Sequence, residues 1–258
     1  MTAVQVRNVW KEYDGHVVIE RINMAVEGRA FCAIVGASGC GKTTFLRMLL
    51  SEETPSRGVI LVDGKTLAVE PGPDRGVVFQ RYSVFPHLTV LQNVMLGLEL
   101  EGSPLLGHLF GAARRRAVEQ AEQAIASVGL SAARDKYPAA LSGGMRQRLA
   151  IAQTLIKKPK ILLLDEPFGA LDPGTRKDMH ALLLSLWNDT EMTVFMVTHD
   201  LSEGFDLGTR LLVFDKVRHD PTDPDAFGAT ITYDIPLDRK SGMAAVPREL
   251  KKEIERTT

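Results

Sequence analysis

Cysteine is nearly absent: the 258 residues hold two, Cys32 in an apolar stretch and Cys40 among glycines. Contexts so different give no disulfide framework, and a reducing cytosol is expected. Long apolar runs are missing too. None approaches the ~18 residues that a spanning helix needs. The start, MTAVQVRNVW, has no basic segment ahead of an apolar core, so no secretory leader is expected. Charge of one sign is also lacking. Lys and Arg total 31 against 32 Asp and Glu, a formal net charge of −1, which supplies no global field for nucleic acid. The one dense basic cluster is Arg114, Arg115 and Arg116. No internal repeat or low-complexity tract is present. What remains is ordinary globular composition, 45% hydrophobic and 24% charged. That is enough for one large core with a modest inserted subdomain.

The patterning divides the chain. Val4, Val6 and Val9 fit a strand that turns at Tyr13-Asp14-Gly15, with residues 17 to 24 as the antiparallel return. GVILVDGK, 58 to 65, reads as a second hairpin on an Asp-Gly turn. AFCAIVG, 30 to 36, is a short continuous apolar run of the kind buried inside a sheet. After GVVFQ at 76 to 80, helical spacing dominates residues 89 to 157. Strand-like runs return with ILLLDEP, TVFMVTHD and RLLVFDK, the first two separated by an amphipathic crossover helix. Strands alternating with helices predict an α/β fold with a mostly parallel sheet. An antiparallel β subdomain and an inserted α-helical subdomain complete it. The expected divisions are 1–88, 89–157, 158–216 and a tail, 217–258, holding the strand ATITYDI and a charged helix PRELKKEIER. Gly204 and Gly208 fall in a helical-looking stretch, where each costs about 1 kcal/mol in a helix interior.

The apolar run 30 to 36 opens into GASGCGKTT and then helical spacing. Gly36, Ala37, Ser38, Gly39, Cys40, Gly41, Lys42 and Thr43, followed by Thr44, match the phosphate-loop pattern. Glycines let successive N–H groups face a β-phosphate, Lys42 adds a point charge, and the Thr43 hydroxyl can ligate Mg²⁺. At Ile161-Leu-Leu-Leu-Asp165-Glu166, a buried strand delivers two acids to the carboxyl edge of a sheet, where ligands bind. Asp165 suits the Mg²⁺ shell and Glu166 suits a base for attacking water. A second anion grip follows the inserted segment's logic: Ser142, Gly143 and Gly144 precede a helix whose free amides and dipole favour negative charge.

LSGGMRQR, lying between the phosphate loop and the acid pair, resembles the signature of ATP-binding cassette ATPases. Other motifs follow in that family's order over about residues 4 to 216. Gln80 resembles the Q-loop glutamine that joins the metal shell, Asp172 in GALD the D-loop, and His199 the switch histidine. Tyr13 sits where the family stacks an aromatic on adenine. The resemblance implies ATP and Mg²⁺ as cofactors and catalysis by Glu166, His199, Gln80 and Lys42. It also implies a head-to-tail dimer, with a second copy or a paralogous subunit, in which Ser142, Gly143 and Gly144 reach the nucleotide held by the other chain. Expected partners are a transmembrane permease and a periplasmic or lipoprotein binding protein, on the cytoplasmic face of the inner membrane. Nucleic acid is not expected.

The Gln80 region and the tail resemble ATPases of nitrate, sulfonate and taurine importers. Residues 101 to 116 depart from that subfamily, being longer and more apolar. They fit either a contact with permease or lipid headgroups, or a loop folded on its own subdomain. Two rival functions differ in class: a soluble cassette ATPase outside transport, and an ATP-gated regulatory subunit without turnover. The first is expected to carry tandem cassettes or long coiled coils, and the second to lack a base at Glu166.

Overall fold

Asp-Gly pairs turn the two hairpins of the N-terminal sheet. Asp14 and Gly15, then Asp63 and Gly64, all have positive φ (48°, 87°, 51° and 75°), the type I′ geometry that matches strand twist. The first turn joins β1 (Val4–Tyr13) to β2 (His16–Val26), and the second joins β4 (Arg57–Val62) to β5 (Lys65–Thr66). These strands form an antiparallel sheet in the order β2-β1-β4-β5. The computed structural model describes residues 3–79, 83–103, 107–222 and 226–237. The charged tail segment PRELKKEIER and Gln80 lie outside them.

Contacts group the chain into two compact units. One holds residues 1–75, 160–166 and 191–258, the other 76–159 and 167–190. In the first, β3 (Phe31–Gly36) is buried at every position. It lies between β8 (Thr193–Val197) and β9 (Arg210–Asp215), parallel to both, and β7 (Ile161–Asp165) continues the parallel set beyond β8. Apolar runs without alternation are what strands covered on both faces require. The strand read from ATITYDI forms β10 (Thr230–Pro236), an antiparallel edge beside β9. The α/β sheet is thus mostly parallel, with an antiparallel companion sheet.

Helix α1 (Lys42–Leu50) buries Phe45, Leu46, Leu49 and Leu50, the face that the sequence spacing predicts. Phe45 reaches the ring of Phe214 at 5.4 Å between centroids. Helix α6 (Leu201–Leu207) resolves the two unexpected glycines. A Cβ on Gly204 meets Leu211 Cδ1 at 3.1 Å and Ala33 Cβ at 3.5 Å, so glycine lets α6 lie close on β3 and β9. Gly208 is not in the helix interior: it is the C-cap, with extended backbone. A Cβ added there would stand 2.6 Å from the Gly204 carbonyl oxygen. The helix penalty therefore applies to one glycine, not two, and close packing offsets it.

The second unit opens within β6 (Arg75–Val78) and contains α2 (Val90–Gly102), α3 (Gly111–Ser127), α4 (Gly143–Leu155) and α5 (Pro173–Asn188). Thr89 starts α2 with a capping box, its hydroxyl accepting from Gln92 N while the Gln92 side chain accepts from Thr89 N. Asn93, buried under that turn, donates to the carbonyls of Phe85, Leu88 and Thr89 and accepts from Phe85 N. Backbone groups of an irregular segment are thereby satisfied without a strand or helix.

Candidate nucleotide site and signature turn

The loop after β3 leaves no space where it is tightest. Gly36 has φ +148°, and a Cβ there falls 2.1 Å from the Phe214 carbonyl oxygen. Gly41 caps α1 in the left-handed region at φ 88°, and a Cβ added there would meet Ile19 and Val18 of β2. No side chain caps the first turn of α1, so its amides and dipole are directed at the loop. Lys42 is buried and folds back, Nζ donating to Gly36 O at 2.6 Å and Ala37 O at 2.7 Å. A cation encircled by its own loop is an anion cradle.

Two further strand ends, those of β7 and β8, meet this cradle at the carboxyl edge of the parallel sheet. The Thr43 hydroxyl donates to Asp165 Oδ1 at 3.2 Å, across 122 residues of chain. Burial pushes the Asp165 carboxyl up from its ordinary range. Thr43's hydrogen bond opposes this, and the neighbouring Glu166 charge reinforces it. Glu166 has φ 46°, an uncommon backbone for a side chain with Cβ. Its N–H donates to Val197 O at 3.0 Å, so β8 holds the strained turn in place. From the end of β8, His199 Nδ1 comes within 3.7 Å of Glu166 Oε2. Glu166 and His199 thus face one another, and Glu166 directly follows Asp165 of the Thr43–Asp165 pair.

Tyr13 arrives at the same helix from β1. Burial, then hydrogen bonding to Glu53, raise its pKa, while a hydrogen bond from Thr44 lowers it. Its hydroxyl is therefore within reach of the first turn of α1. The ring is 37% exposed and carries the Lys11 ammonium 4.6 Å from its centroid. At Cys40 the adjacent helix N-terminus favours thiolate, but burial pushes the thiol up and outweighs the attraction of Lys42. Cys32 is fully buried and pushed up to about 12.

In the second unit, the signature serine and the D-loop acid turn out to be neighbouring helix caps. Ser142 caps α4, accepting from Met145 N at 3.2 Å, and Asp172 caps α5, accepting from Thr175 N at 3.0 Å. Between the two helices, a Cβ on Gly144 falls 2.4 Å from Thr175 Cγ2. Gly144 is therefore a close-packing glycine, while Ser142 stays exposed and Gly143 partly so.

The profile of the ABC transporter family matches residues 19–169, more than half of the chain. This chain belongs to the ABC transporter ATP-binding family. Such ATPases bind ATP and hydrolyse it to power transport. An uncharacterized ABC transporter ATP-binding protein of Methanocaldococcus jannaschii is 44% identical over 214 residues, covering 81% of this chain and 76% of its own. The nitrate import ATP-binding protein NrtD of Synechocystis is 40% identical, covering 87% and 79%. The aliphatic sulfonates import ATP-binding protein SsuB 1 of Paraburkholderia xenovorans is 42% identical, covering 84% of this chain and 58% of its own. In fold, the chain matches CbiO1 of Clostridium perfringens, part of the ABC transporter complex cbiONQ, with TM-score 0.76 at 23% identity, covering 98% and 96%.

Beneath His199 lies a connection that sequence reasoning did not single out in this ABC ATPase. Thr198 donates to Glu203 Oε2 at 2.5 Å, both side chains buried, and the Thr198 hydroxyl accepts from Asp200 N at 3.1 Å. Glu203 thus fixes the residues on either side of the histidine. The only available signal was an acid four residues beyond His199, and Asp200 and Asp206 in the same stretch conceal it.

Proposed function

We propose that this chain is the ATP-hydrolysing subunit of an importer for small anions of the nitrate, sulfonate or taurine type. It works as a head-to-tail dimer against a separate permease on the cytoplasmic face of the inner membrane. A periplasmic or lipoprotein binding protein delivers substrate. The observation that carries the catalytic half is the Thr43–Asp165 hydrogen bond, which joins phosphate loop and acid strand at one edge. The transport half is supported by relatives named for nitrate import, bicarbonate transport and aliphatic sulfonate import. The ATPase core comprises 1–88 and 158–216, with 89–157 as the helical insertion.

In this reading the loop amides and Lys42 bind the β- and γ-phosphates, and Glu166 accepts a proton from the attacking water. His199 orients the γ-phosphate, and Tyr13 packs on the adenine. Mg²⁺ fits beside Thr43 and Asp165. A hydroxyl and a carboxylate are the hard oxygens it prefers, and burial leaves Asp165 short of solvent to compensate its charge. In this reading Gln80, which lies outside the described residues, joins Thr43 and Asp165, and phosphate oxygens and water complete the shell. When bound, the ion neutralises phosphate charge. The test is uptake into liposomes containing the permease encoded beside this chain, its binding protein and ATP. ATP-dependent accumulation of nitrate, bicarbonate, taurine or an alkanesulfonate is expected, and accumulation of none of them overturns the substrate class.

Two substitutions or modifications probe the site locally. ATP is expected to protect Cys40 from maleimide, because an adduct occupies the space that phosphate needs. Labelling without ATP rises with pH, since burial holds the thiol protonated at neutral pH, and Cys32 stays unlabelled in both states. Mass spectrometry of the two peptides decides it, and equal Cys40 labelling with and without ATP refutes this placement of the nucleotide. Glu203→Ala is expected to lower kcat about 10-fold by freeing the His199 turn, with ATP affinity nearly unchanged. Glu203→Gln, which still accepts from Thr198, recovers most of it. A loss of kcat that tracks melting temperature across both variants assigns Glu203 to stability alone.

A further inference from the structure

Residues 107 to 116 divide sharply between covered and uncovered groups. Leu109 packs on α2, with its Cδ2 2.8 Å from a Cβ built on Gly102, and His108 Nδ1 lies 3.6 Å from Glu99 Oε1. The segment is thus folded onto its own subdomain. Phe110 is not: it stands 70% exposed at the start of α3, and Leu100 of α2 is 52% exposed. One turn beyond Phe110, Arg114, Arg115 and Arg116 are all exposed. Among the described residues none of the three has an acidic partner. Other arginines of the chain do find carboxylates: Arg134 with Glu122 and Asp135, Arg210 with Asp234, Arg218 with Glu20.

The helix end itself adds to the positive field. Phe110 offers α3 no capping acceptor, and its first turn has no acidic residue, where a helix stabilised for its own sake carries one. Apolar surface and cation are contiguous: a groove of about 670 Å³ is lined by Met95, Leu96, Leu109, Phe110 and Arg114, with Glu99 and Asp135 also on its wall. An exposed aromatic, three free guanidiniums and an uncapped positive helix end each disfavour an isolated soluble surface. All three favour a phosphate-rich one.

We propose that this end of α3 rests on anionic phospholipid headgroups, with Phe110 as the apolar anchor and Arg114, Arg115 and Arg116 as the cations. The charge match supports lipid: a headgroup layer met by the helix end presents phosphates laterally on all sides, and arginines on successive positions fan around the helix rather than along one line. Exposed Gly111, Ala112 and Ala113 allow the backbone to approach. The inference takes from the transport reading only that a membrane is near.

The experiment is flotation of the full chain, without permease or ATP, with vesicles of phosphatidylglycerol and phosphatidylcholine or of phosphatidylcholine alone. Binding is expected only to the anionic vesicles, weakening as salt is raised. Replacing the three arginines together by glutamine lowers the partition about 10²-fold, and Phe110→Ser lowers it about 10-fold. Basal ATPase activity is unchanged in both variants, which shows that they fold. Absence of binding to anionic vesicles, or equal binding of the triple variant, overturns the proposal. So does loss of permease-coupled activity in variants whose vesicle binding is intact, which assigns the surface to an acidic permease segment instead. Failure of ATP-driven uptake with intact vesicle binding falls on the transport reading alone.

Discussion

Glu166→Gln is expected to bind ATP and to turn it over at least about 10²-fold more slowly. Gln keeps the volume and the hydrogen bonding but cannot accept the proton of the attacking water. The backbone at Glu166 has φ 46° and is held by its N–H to Val197 O. Gln meets the same conformational cost as Glu there, so the fold is preserved. A second consequence follows from the neighbouring acid. The Glu166 charge helps raise the Asp165 pKa, so its removal lets Asp165 stay ionised to lower pH. ATP binding in the presence of Mg²⁺ therefore extends further into acid in the variant than in the parent chain. Nucleotide affinity against pH and steady-state hydrolysis, measured on the same preparation, check both. Near-normal turnover removes Glu166 from the role of base. Unchanged acid sensitivity removes Asp165 from the metal shell.

The parts of this site that were legible in the sequence are those where backbone geometry dictates residue type. Gly36 and Gly41 admit no Cβ and need unusual φ, so the phosphate loop shows itself letter by letter. The strand bearing Asp165 was legible because a buried strand is an uninterrupted apolar run. Contacts made by side chains of ordinary type were not legible. Nothing in the order of residues says that Lys42 folds onto Gly36 and Ala37, or that Lys11 lies over the Tyr13 ring. Gly144 read as an anion-binding glycine; that Thr175, thirty-one residues away, also packs against it was not legible. Gly204 read as a defect until Leu211 and Ala33 were found against it. The protonation of Cys40 was not legible for a general reason. A sequence displays a nearby Lys and a helix end, but desolvation depends on what packs around the thiol, and here desolvation dominates.

The family resemblance offers an account of why one chain carries two anion grips: each grip serves a different nucleotide. Lys42→Ala removes the charge at the phosphates and the bracing of Gly36 and Ala37. Ser142→Arg puts a bulky cation at an exposed cap and costs α4 about 1 kcal/mol of capping, too little to unfold it. Each homodimer is expected to retain almost no hydrolysis, because both of its sites carry the lesion. In a mixed dimer, head-to-tail pairing puts both lesions at one interface and leaves the other with an intact Lys42 and an intact Ser142. Linked or co-purified mixed dimers should therefore regain a substantial part of wild-type activity, up to about half for independent sites. If both grips served one nucleotide within a subunit, every subunit of the mixture would be damaged and nothing would be regained. Strong coupling between interfaces lowers the recovered rate without abolishing binding, so one intact site per dimer is also counted by trapped nucleotide in a Glu166→Gln background. A stoichiometry of one ATP per mixed dimer, with the partner subunit's Ser142 at the γ-phosphate, supports shared sites. Finding Ser142 against the ATP held by Lys42 of its own chain ends the head-to-tail arrangement.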